Sequence, residues 1–362
     1  MTELDRLSGQ DALFLQVEAP NQPMHVGGLA IFEGAPFHDE AGEFRLDDIR
    51  AVITSRLHLV PRFRRRLHAV PFDQGHPVWV DDADFDVANH VRHHRLPEPG
   101  GWPELRHFVE HLQALPLDRG LPLWELWFVD GLAEGQVALV QKTHHALIDG
   151  ISGIDVATVL LDLEPVPPTV EAPGWTPEPP PTDAELFMGS IAERIAGPAT
   201  WLQSVAESLR RPDHAAEDLL DTAVDAGRAL LAAGRPPSPT PWNVPIGPTR
   251  RYEVARVALD DGRAVKDAVG ASVTDVVLGI CAGALRAFPL HRDEEVPDGR
   301  TLRAFVPVSL RTENERYSFG NRVSGMLAEL PVGEAEPAAR LREVGRQMAT
   351  LKQSGQAEVA DQ

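Results

Sequence analysis

The sequence predicts an α/β protein built from two domains, and three observations lead to this prediction. The chain has 362 residues, more than a single hydrophobic core ordinarily organises. Segments with the two-residue alternation of strands and segments with the 3.6-residue period of helices follow one another along the chain. Finally, residues 164–183 contain eight prolines and separate two such series, because proline can neither continue a helix nor occupy a central strand.

That division predicts three regions. Residues 1–165 form the N-terminal domain, residues 166–245 a proline-rich crossing linker with amphipathic helices, and residues 246–362 a shorter C-terminal domain. The linker is expected to be helical from residue 184 to 233, with breaks where Gly197-Pro198 and Pro212 interrupt the period.

Within each domain the pattern predicts the elements in order. Strands are expected in the segments 24–34, 78–96, 116–132, 136–143, 252–261 and 302–311. One helix is expected to begin near Asp47 or Asp48. Further helices are expected at 104–115, 152–163, 272–288 and roughly 338–352. Ser152, with Asp155 three residues later, is typical of a capped helix start.

Charge excludes some partners. With 34 basic and 54 acidic side chains the formal charge is −20, so a nucleic-acid backbone would repel the chain, and bulk charge disfavours an anionic membrane. Arg64, Arg65 and Arg66 nevertheless form a local basic cluster in PRFRRRLHAV. Its two interpretations are a solvated surface run and a dock for anionic phosphates.

The cysteine content and the N-terminus predict a cytoplasmic protein. Cys281 is the only cysteine, so no intramolecular disulfide forms, and its apolar surroundings in VVLGICAGALRAF predict a buried thiol. MTELDRLSGQDALF has no basic region followed by an apolar core, as a secretion signal would. No stretch reaches the roughly 20 uninterrupted apolar residues of a membrane span.

The clearest chemical content lies in QKTHHALIDGISGID, residues 141–155. Neighbouring strand residues face opposite sides, so only one of His144 and His145 can face a given cavity, which argues against a metal site made from both. A histidine is a competent general base near neutral pH, yet histidines on apolar elements are often core residues, and both interpretations remain open from the residues alone. Asp149 is expected to brace the loop, and Gly150 to permit a backbone angle closed to other residues.

HHALIDG matches the HHxxxDG motif of the acyl-CoA-dependent acyltransferase superfamily, which includes condensation domains of peptide synthetases. Further segments occur in the family's order. Together they resemble the bacterial wax ester synthase/diacylglycerol acyltransferase family from near residue 7 to the C-terminal end. These segments are LSGQDALFLQVEAPNQPMHVGGL, PRFRRRLHAVPF, HPVWVDDADFDVANHV, PLDRGLPLWEL, SVTDVVLGICAGALR, VPVSLR and FGNRVSGMLAELP.

The resemblance implies a two-domain CoA-dependent acyltransferase fold of mixed sheets covered by helices, with a tunnel for fatty acyl-CoA and a long-chain alcohol or diacylglycerol. It implies that His145 is the general base, that His144 supports it, and that Asp149 braces the loop with Arg311 as its partner. It implies no cofactor and no metal, since acyl-CoA is a co-substrate, and it allows peripheral contact with the inner membrane or lipid inclusions.

The remaining candidate residues follow from the same resemblance. Thr274 stands where the family has asparagine, keeping a hydroxyl but losing the amide's paired donor and acceptor. With Asp275 it is a candidate for the substrate tunnel, and Asn321 is either a polar site residue or a strand-end cap. The PLW element, residues 122–124, is expected to pack in the core, and the match of PRFRRRLHAVPF favours phosphate docking at Arg64–Arg66.

Two other functions remain open. One is a condensation-type acyltransferase that uses a carrier-protein thioester, and the other is a lipid-binding relative without turnover. Family members continue beyond the point where this sequence stops, which implies an incomplete second domain. An unpaired strand edge and exposed apolar surface should then follow.

Overall fold

The computed structural model describes residues 4–147, 173–191, 240–242, 244–309 and 323–353. The chain divides into two compact units. The first comprises Met1–Gln203, Ile246–Glu253 and Tyr317–Asn321, and the second comprises Ser204–Pro245, Val254–Arg316 and Arg322–Gln362. Residues 246–253 thus lie with the first unit, whereas the sequence places them in the C-terminal domain.

The first unit is built on a four-stranded mixed sheet in the order β1-β6-β5-β4. Its central pair, β5 and β6, is antiparallel, β1 joins β6 antiparallel, and β4 joins β5 parallel. A separate antiparallel pair is formed by β2 and β3. The strands are β1 His25–Glu33, β2 Arg65–His68, β3 Val78–Asp81, β4 Val91–Arg95, β5 Trp124–Asp130 and β6 Gln136–His144.

Helices lie on both faces of this sheet because alternate residues of β5 and β6 are apolar on each face. One face carries Phe128 and Leu139, which belong to the larger core cluster. The other carries Val140, which packs against Leu105 and Leu112 of α3. Each such buried side chain stabilises the fold by about 1.5–3 kcal/mol. The helices are α1 Gly9–Val17, α2 Leu46–Arg56, α3 Trp102–Ala114 and α4, residues 183–191.

The second unit pairs one antiparallel ribbon with helices. Val306, Met326 and Met348 belong to its core cluster, and Ser272 caps α6 by accepting the Asp275 backbone N–H. Its elements are α5 Leu259–Val269, α6 Val273–Leu290, β7 Leu302–Ser309, β8 Val323–Leu330 and α7 Pro337–Gln353.

Most predicted elements that fall on described residues are confirmed, including α2, α3, α6 and α7. One differs. The prediction of a strand at 252–261 is wrong: residues 252–258 join no strand and α5 begins at Leu259. At Tyr252 the backbone N–H is taken by the Glu110 carboxylate, and Asp260 and Asp261 stand in the first turn of α5, where the helix dipole favours them. Helices α1 and α5 and strands β2 and β8 were not predicted. The helix expected at 152–163 lies outside the described residues, as does the linker from 192 to 239.

Cys281 is exposed, so the prediction of a buried thiol is wrong. It lies on the face of α6 that also leaves Val277 and Ile280 half exposed. The thiol is therefore expected to react with a disulfide reagent in the native protein, releasing about one equivalent of chromophore without denaturant. Cys281→Ser should release none, and a thiol that reacts only after unfolding would contradict the exposed placement.

Helix α6 meets the minimum for a membrane-crossing helix by length and composition, with 17% of its 18 residues buried. Asp275 and Arg286 interrupt its apolar run, and a single helix of this kind is weak evidence for a membrane. Phe305 of β7 is also exposed. An incomplete second domain stays a prediction.

Candidate functional site

The two histidines stand at the end of β6, beside the start of β1. His144 is the last strand residue, pairs in register with His25, and donates its backbone N–H to Leu123 O at 3.0 Å. His145 is the first residue beyond the strand and donates its backbone N–H to Met24 O at 3.0 Å. Two neighbouring chain segments therefore hold the backbone of this pair.

His144 is a fixed structural group. Its side chain is 1% exposed, and its Nδ1 accepts a hydrogen bond from the Ala146 backbone N–H at 3.0 Å. That bond places the ring proton on Nε2, which lies 3.5 Å from Glu18 Oε1, too far for a well-formed hydrogen bond. Burial lowers the pKa of His144 to about 4, although Glu18 opposes the shift. The ring is neutral at pH 7 and has no nitrogen available as a base.

His145 is held differently. Its half-buried ring stacks on Phe14 of α1, with centroids 4.6 Å apart and planes 12° apart. Burial lowers the pKa of His145, so its imidazole is neutral at pH 7 and can accept a proton. Among the residues that the structure describes, none hydrogen-bonds the His145 ring. Within the described part of the chain, His145 is therefore the histidine of the pair whose ring nitrogens remain available to act as a base.

Glu18 connects the pair to the rest of the site and was missed from the sequence. Its Oε1 accepts the Met24 backbone N–H at 3.1 Å, and its Oε2 accepts two bonds from Arg119, at 2.6 and 3.1 Å. Burial opposes ionisation, but the bonds from Arg119 and Met24 keep the pKa of Glu18 below its usual value. One signal was available: a carboxylate at the C-cap of α1 is disfavoured by the helix dipole, so another partner must stabilise it.

A buried lysine lies two residues before His144 on β6. Lys142 is 1% exposed and donates from Nζ to Leu115 O, at the C-cap of α3, where the helix dipole favours a cation. Burial lowers the pKa of Lys142 to about 8. Across the β1–β6 pairing, burial and the Lys142 charge lower the pKa of His25 to about 4. Ionisable side chains therefore occupy buried positions at this end of the β1–β6 pair.

Comparison with known families decides what this arrangement belongs to. Residues 7–277 match the wax ester synthase/diacylglycerol acyltransferase catalytic domain, and residues 319–362 match the WS/DGAT C-terminal domain. The chain belongs to this family. It is an acyltransferase, as the sequence predicted.

Individual relatives and a solved structure of the WS/DGAT family support the same assignment. A Mycobacterium tuberculosis protein, named as an inferred diacylglycerol O-acyltransferase, is 35% identical to this chain over 357 residues. The match covers 98% of this chain and 72% of that protein. The wax ester synthase/diacylglycerol acyltransferase of Marinobacter aquaeolei VT8 matches with a TM-score of 0.64 and 29% identity, over 96% of this chain and 72% of that one. These matches confirm the predicted α/β acyltransferase fold.

A more distant likeness concerns the fold alone. The first condensation domain of the calcium-dependent antibiotic synthetase matches with a TM-score of 0.58 and 17% identity, over 98% of this chain and 75% of that domain. Both share the layered architecture that the HHxxxDG motif implied. The carrier-protein alternative gains no further support from it.

Two of the arginines predicted to dock phosphate in this WS/DGAT chain are paired within the first unit. Arg65 bonds Asp81 Oδ1 at 3.0 Å and Asp5 Oδ2 at 2.8 Å, and these carboxylates raise its pKa against the opposing effect of burial. Arg66 lies 3.8 Å from Asp82. These ion pairs hold β2 to β3 and neutralise the charge that a phosphate would need, so docking here stays a prediction.

Arg64 has a different contact. Its guanidinium lies 4.5 Å from the centre of the Trp175 ring, and Glu178 donates its backbone N–H to Asp81 Oδ2 at 3.1 Å. Burial lowers the pKa of Arg64, and the Asp81 charge opposes this shift, while the aromatic face attracts the guanidinium cation. The contact attaches the proline-rich segment to the β2–β3 pair.

Other predicted residues have separate placements. Asp275 is buried and accepts the Ser272 backbone N–H through Oδ2 at 2.8 Å, closing a capping box at α6, while Thr274 is exposed. This accounts for Asp275 structurally, and a tunnel role for either stays a prediction. Leu123 and Trp124 of the PLW element are buried in the core, as predicted.

Four predicted residues lie outside the described part of the chain, so their roles stay predictions. They are Asp149, Gly150, Arg311 and Asn321.

A cavity of about 850 Å³ lies on another side of α1 from the Phe14–His145 contact. Arg119 lines it while also binding Glu18. Its remaining lining includes Ala12, Leu15, Leu67, Val70, His76 and Ser190.

The buried histidines predict acid sensitivity. A folded pKa of about 4 against 6.5 means that the unfolded chain binds more protons in this range, so stability falls as pH drops from about 6.5 to 4. We expect His144 to contribute between about 1 and 3 kcal/mol of this loss. Urea unfolding of the native chain and of His144→Asn at several pH values measures it. The variant should show a shallower slope of unfolding free energy against pH.

The exposed His107 supplies the control, since His107→Asn should leave that slope unchanged. Equal slopes in the native chain and in His144→Asn would show that His144 does not remain neutral in the folded state.

Proposed function

We propose that this chain transfers a fatty acyl group from acyl-CoA to the hydroxyl of a long-chain alcohol or a diacylglycerol, with His145 as general base. The observation that carries this proposal is that the two histidine rings have different environments. The Ala146 N–H and burial keep His144 neutral with its acceptor nitrogen occupied, whereas the His145 ring contacts Phe14 by stacking.

The reaction needs one base and no protein nucleophile. His145 takes the proton of the acceptor hydroxyl as that oxygen attacks the thioester carbonyl carbon. The tetrahedral intermediate collapses, the C–S bond breaks, and the imidazolium returns its proton to the coenzyme A sulfur. The products are an ester and free coenzyme A, and His145 is again neutral. A pKa lowered by burial suits both steps, because the base starts neutral and the imidazolium releases its proton readily.

No resident cofactor or metal enters this scheme, and acyl-CoA serves as co-substrate. We further propose a cytoplasmic enzyme that meets its lipid acceptors by peripheral contact with the inner membrane or lipid inclusions. The net charge of −20 disfavours general adsorption to anionic lipid, so such contact would depend on local apolar surface.

The experiment that tests the activity measures coenzyme A release from palmitoyl-CoA, with hexadecanol or a diacylglycerol as acceptor, and identifies the ester by mass. Cys281→Ser is the assay background, because an exposed thiol would react with the thiol reagent. Acceptor-dependent release with matching ester supports the proposal, and the ratio of the two rates assigns the acceptor.

Two other outcomes separate the alternatives. Transfer from a carrier-protein thioester, with none from palmitoyl-CoA, would identify a condensation-type enzyme. Binding of palmitoyl-CoA without release of coenzyme A would identify a lipid-binding relative without turnover.

A further inference from the structure

Residues 246–253, which we call the strap, lie along the first unit although the residues on either side belong to the second. The strap reads IGPTRRYE. It contacts α3 and the turn formed by residues 18–24, which we call the Met24 turn. The proposed mechanism gives the strap no role.

One half of the strap is fixed to α3 through a buried carboxylate. Glu110 is 7% exposed, and it accepts Arg251 at 2.9 Å on Oε2 and the Tyr252 backbone N–H at 3.0 Å on Oε1. Arg106 pairs with Glu253. Charge-assisted bonds to a desolvated carboxylate are stronger than neutral ones, so this half is firmly held.

The other half of the strap is fixed to the Met24 turn. Asn21 Nδ2 donates to Ile246 O at 2.7 Å, and Arg250 donates back to Asn21 O at 2.6 Å. A second nitrogen of Arg250 donates to Gly247 O and Thr249 O, both at 3.1 Å. One guanidinium therefore closes the strap on itself and clamps it to Asn21.

The clamped turn is the one that holds the histidines. Met24 receives the His145 N–H on its carbonyl and gives its own N–H to Glu18. Reciprocal backbone bonds between Ala19 and Gln22, at 3.2 and 2.8 Å, make the turn compact. A shift of Asn21 is therefore transmitted to Met24.

Packing gives the turn little support on the strap side. A cavity of about 230 Å³ lies there, and its lining includes Pro23 of the turn, His25 of β1, Gln113 of α3, and the strap's Arg250 and Tyr252. Hydrogen bonds, and not side-chain packing, therefore hold the turn in place on this side.

We propose that Arg250 and Asn21 are positioning residues for acyl transfer, because their clamp on the Met24 turn sets the position of His145. This inference rests on the proposed role of His145 as base. Displacing a catalytic group by about 1 Å can cost up to about 100-fold in rate. Loosening a clamp two contacts away should cost less.

The test compares Arg250→Ala, Arg250→Lys and Asn21→Ala with the native chain, measuring kcat, KM for palmitoyl-CoA and Tm. We expect Arg250→Ala to lower kcat about tenfold, with KM within about twofold. Arg250→Lys keeps one charged donor for Asn21 O and should recover most of kcat. Arg263→Ala is the control, because within the described part of the chain Arg263 pairs with exposed Asp260 on α5. If Arg250→Ala fails to fold, Asn21→Ala tests the other bond of the clamp, because it removes the Nδ2 donor to Ile246 O and keeps the backbone oxygen that binds Arg250.

A double variant separates positioning from general stability. If Arg250 acts through His145, then Arg250→Ala lowers the residual rate of His145→Ala no further. An unchanged kcat in both Arg250→Ala and Asn21→Ala would overturn the proposal, as would a full tenfold loss in the double variant. The proposed role of His145 as general base is tested separately, because full activity of the single variant His145→Ala would contradict it.

Discussion

Replacement of His145 by alanine is expected to lower kcat by about 10²–10⁴-fold, the usual contribution of a positioned general base. The substitution keeps the backbone N–H that binds Met24 O, so the chain path at the end of β6 should persist. KM for palmitoyl-CoA should change little, because the imidazole acts on the acceptor hydroxyl and not on the thioester's remote groups.

The alanine variant also removes a ring that stacks on Phe14, and a second substitution separates the two effects. His145→Phe keeps an aromatic ring against Phe14 but has no nitrogen, so it should be as inactive as His145→Ala. Phe14→Ala removes the stack and leaves the base, and we expect a loss of about tenfold or less, the equivalent of 0.5–1.5 kcal/mol. Activity retained in both His145 variants would exclude this residue as the base.

Substitution of Glu18 by glutamine should have the second largest effect. The amide keeps an oxygen for the Met24 N–H, but the charge that holds Arg119 is lost. Arg119 also donates to Leu15 O at 2.9 Å, so it remains near the site with one carbonyl as partner. The Arg119 side chain is 48% exposed, so water replaces part of the lost interaction and the cost in stability should be about 1 kcal/mol or less.

The expected result for Glu18→Gln is a kcat lowered about 10- to 100-fold and a reduced free energy of unfolding. Urea unfolding and steady-state kinetics measure the two effects. Exposed Glu40 offers the matched control, because Glu40→Gln removes the same charge far from these contacts. Native kinetics in Glu18→Gln would show that the Met24 turn holds its place without this carboxylate.

The Glu18 network and the strap show where sequence reasoning stopped. Glu18 reaches Arg119 across 101 positions of the chain, and Asn21 reaches Ile246 across 225. Periodicity and capping patterns report on interactions within one element. Such patterns therefore cannot predict contacts between residues that lie this far apart in the chain.

The wrong prediction for the Cys281 thiol has the same cause. The composition of VVLGICAGALRAF indicates an apolar helix, and α6 is one. Which side of an apolar helix meets the core depends on what packs against it, and here Ala282 is buried while Cys281 is not. The same limit applies to Arg64, whose Trp175 contact depends on the path of the proline-rich segment.

By itself the sequence determined the α/β class, most of the strands and helices that fall on described residues, the family, and the histidine pair at a strand end. These follow from local periodicity and from motifs that lie within a few residues. Only the tertiary structure decided that the Ala146 N–H occupies His144, that Glu18 and Arg119 support the Met24 turn, and that residues 246–253 clamp it. The physical reason is that hydrogen bonds and burial depend on distance in space, which the order of residues along a chain does not specify.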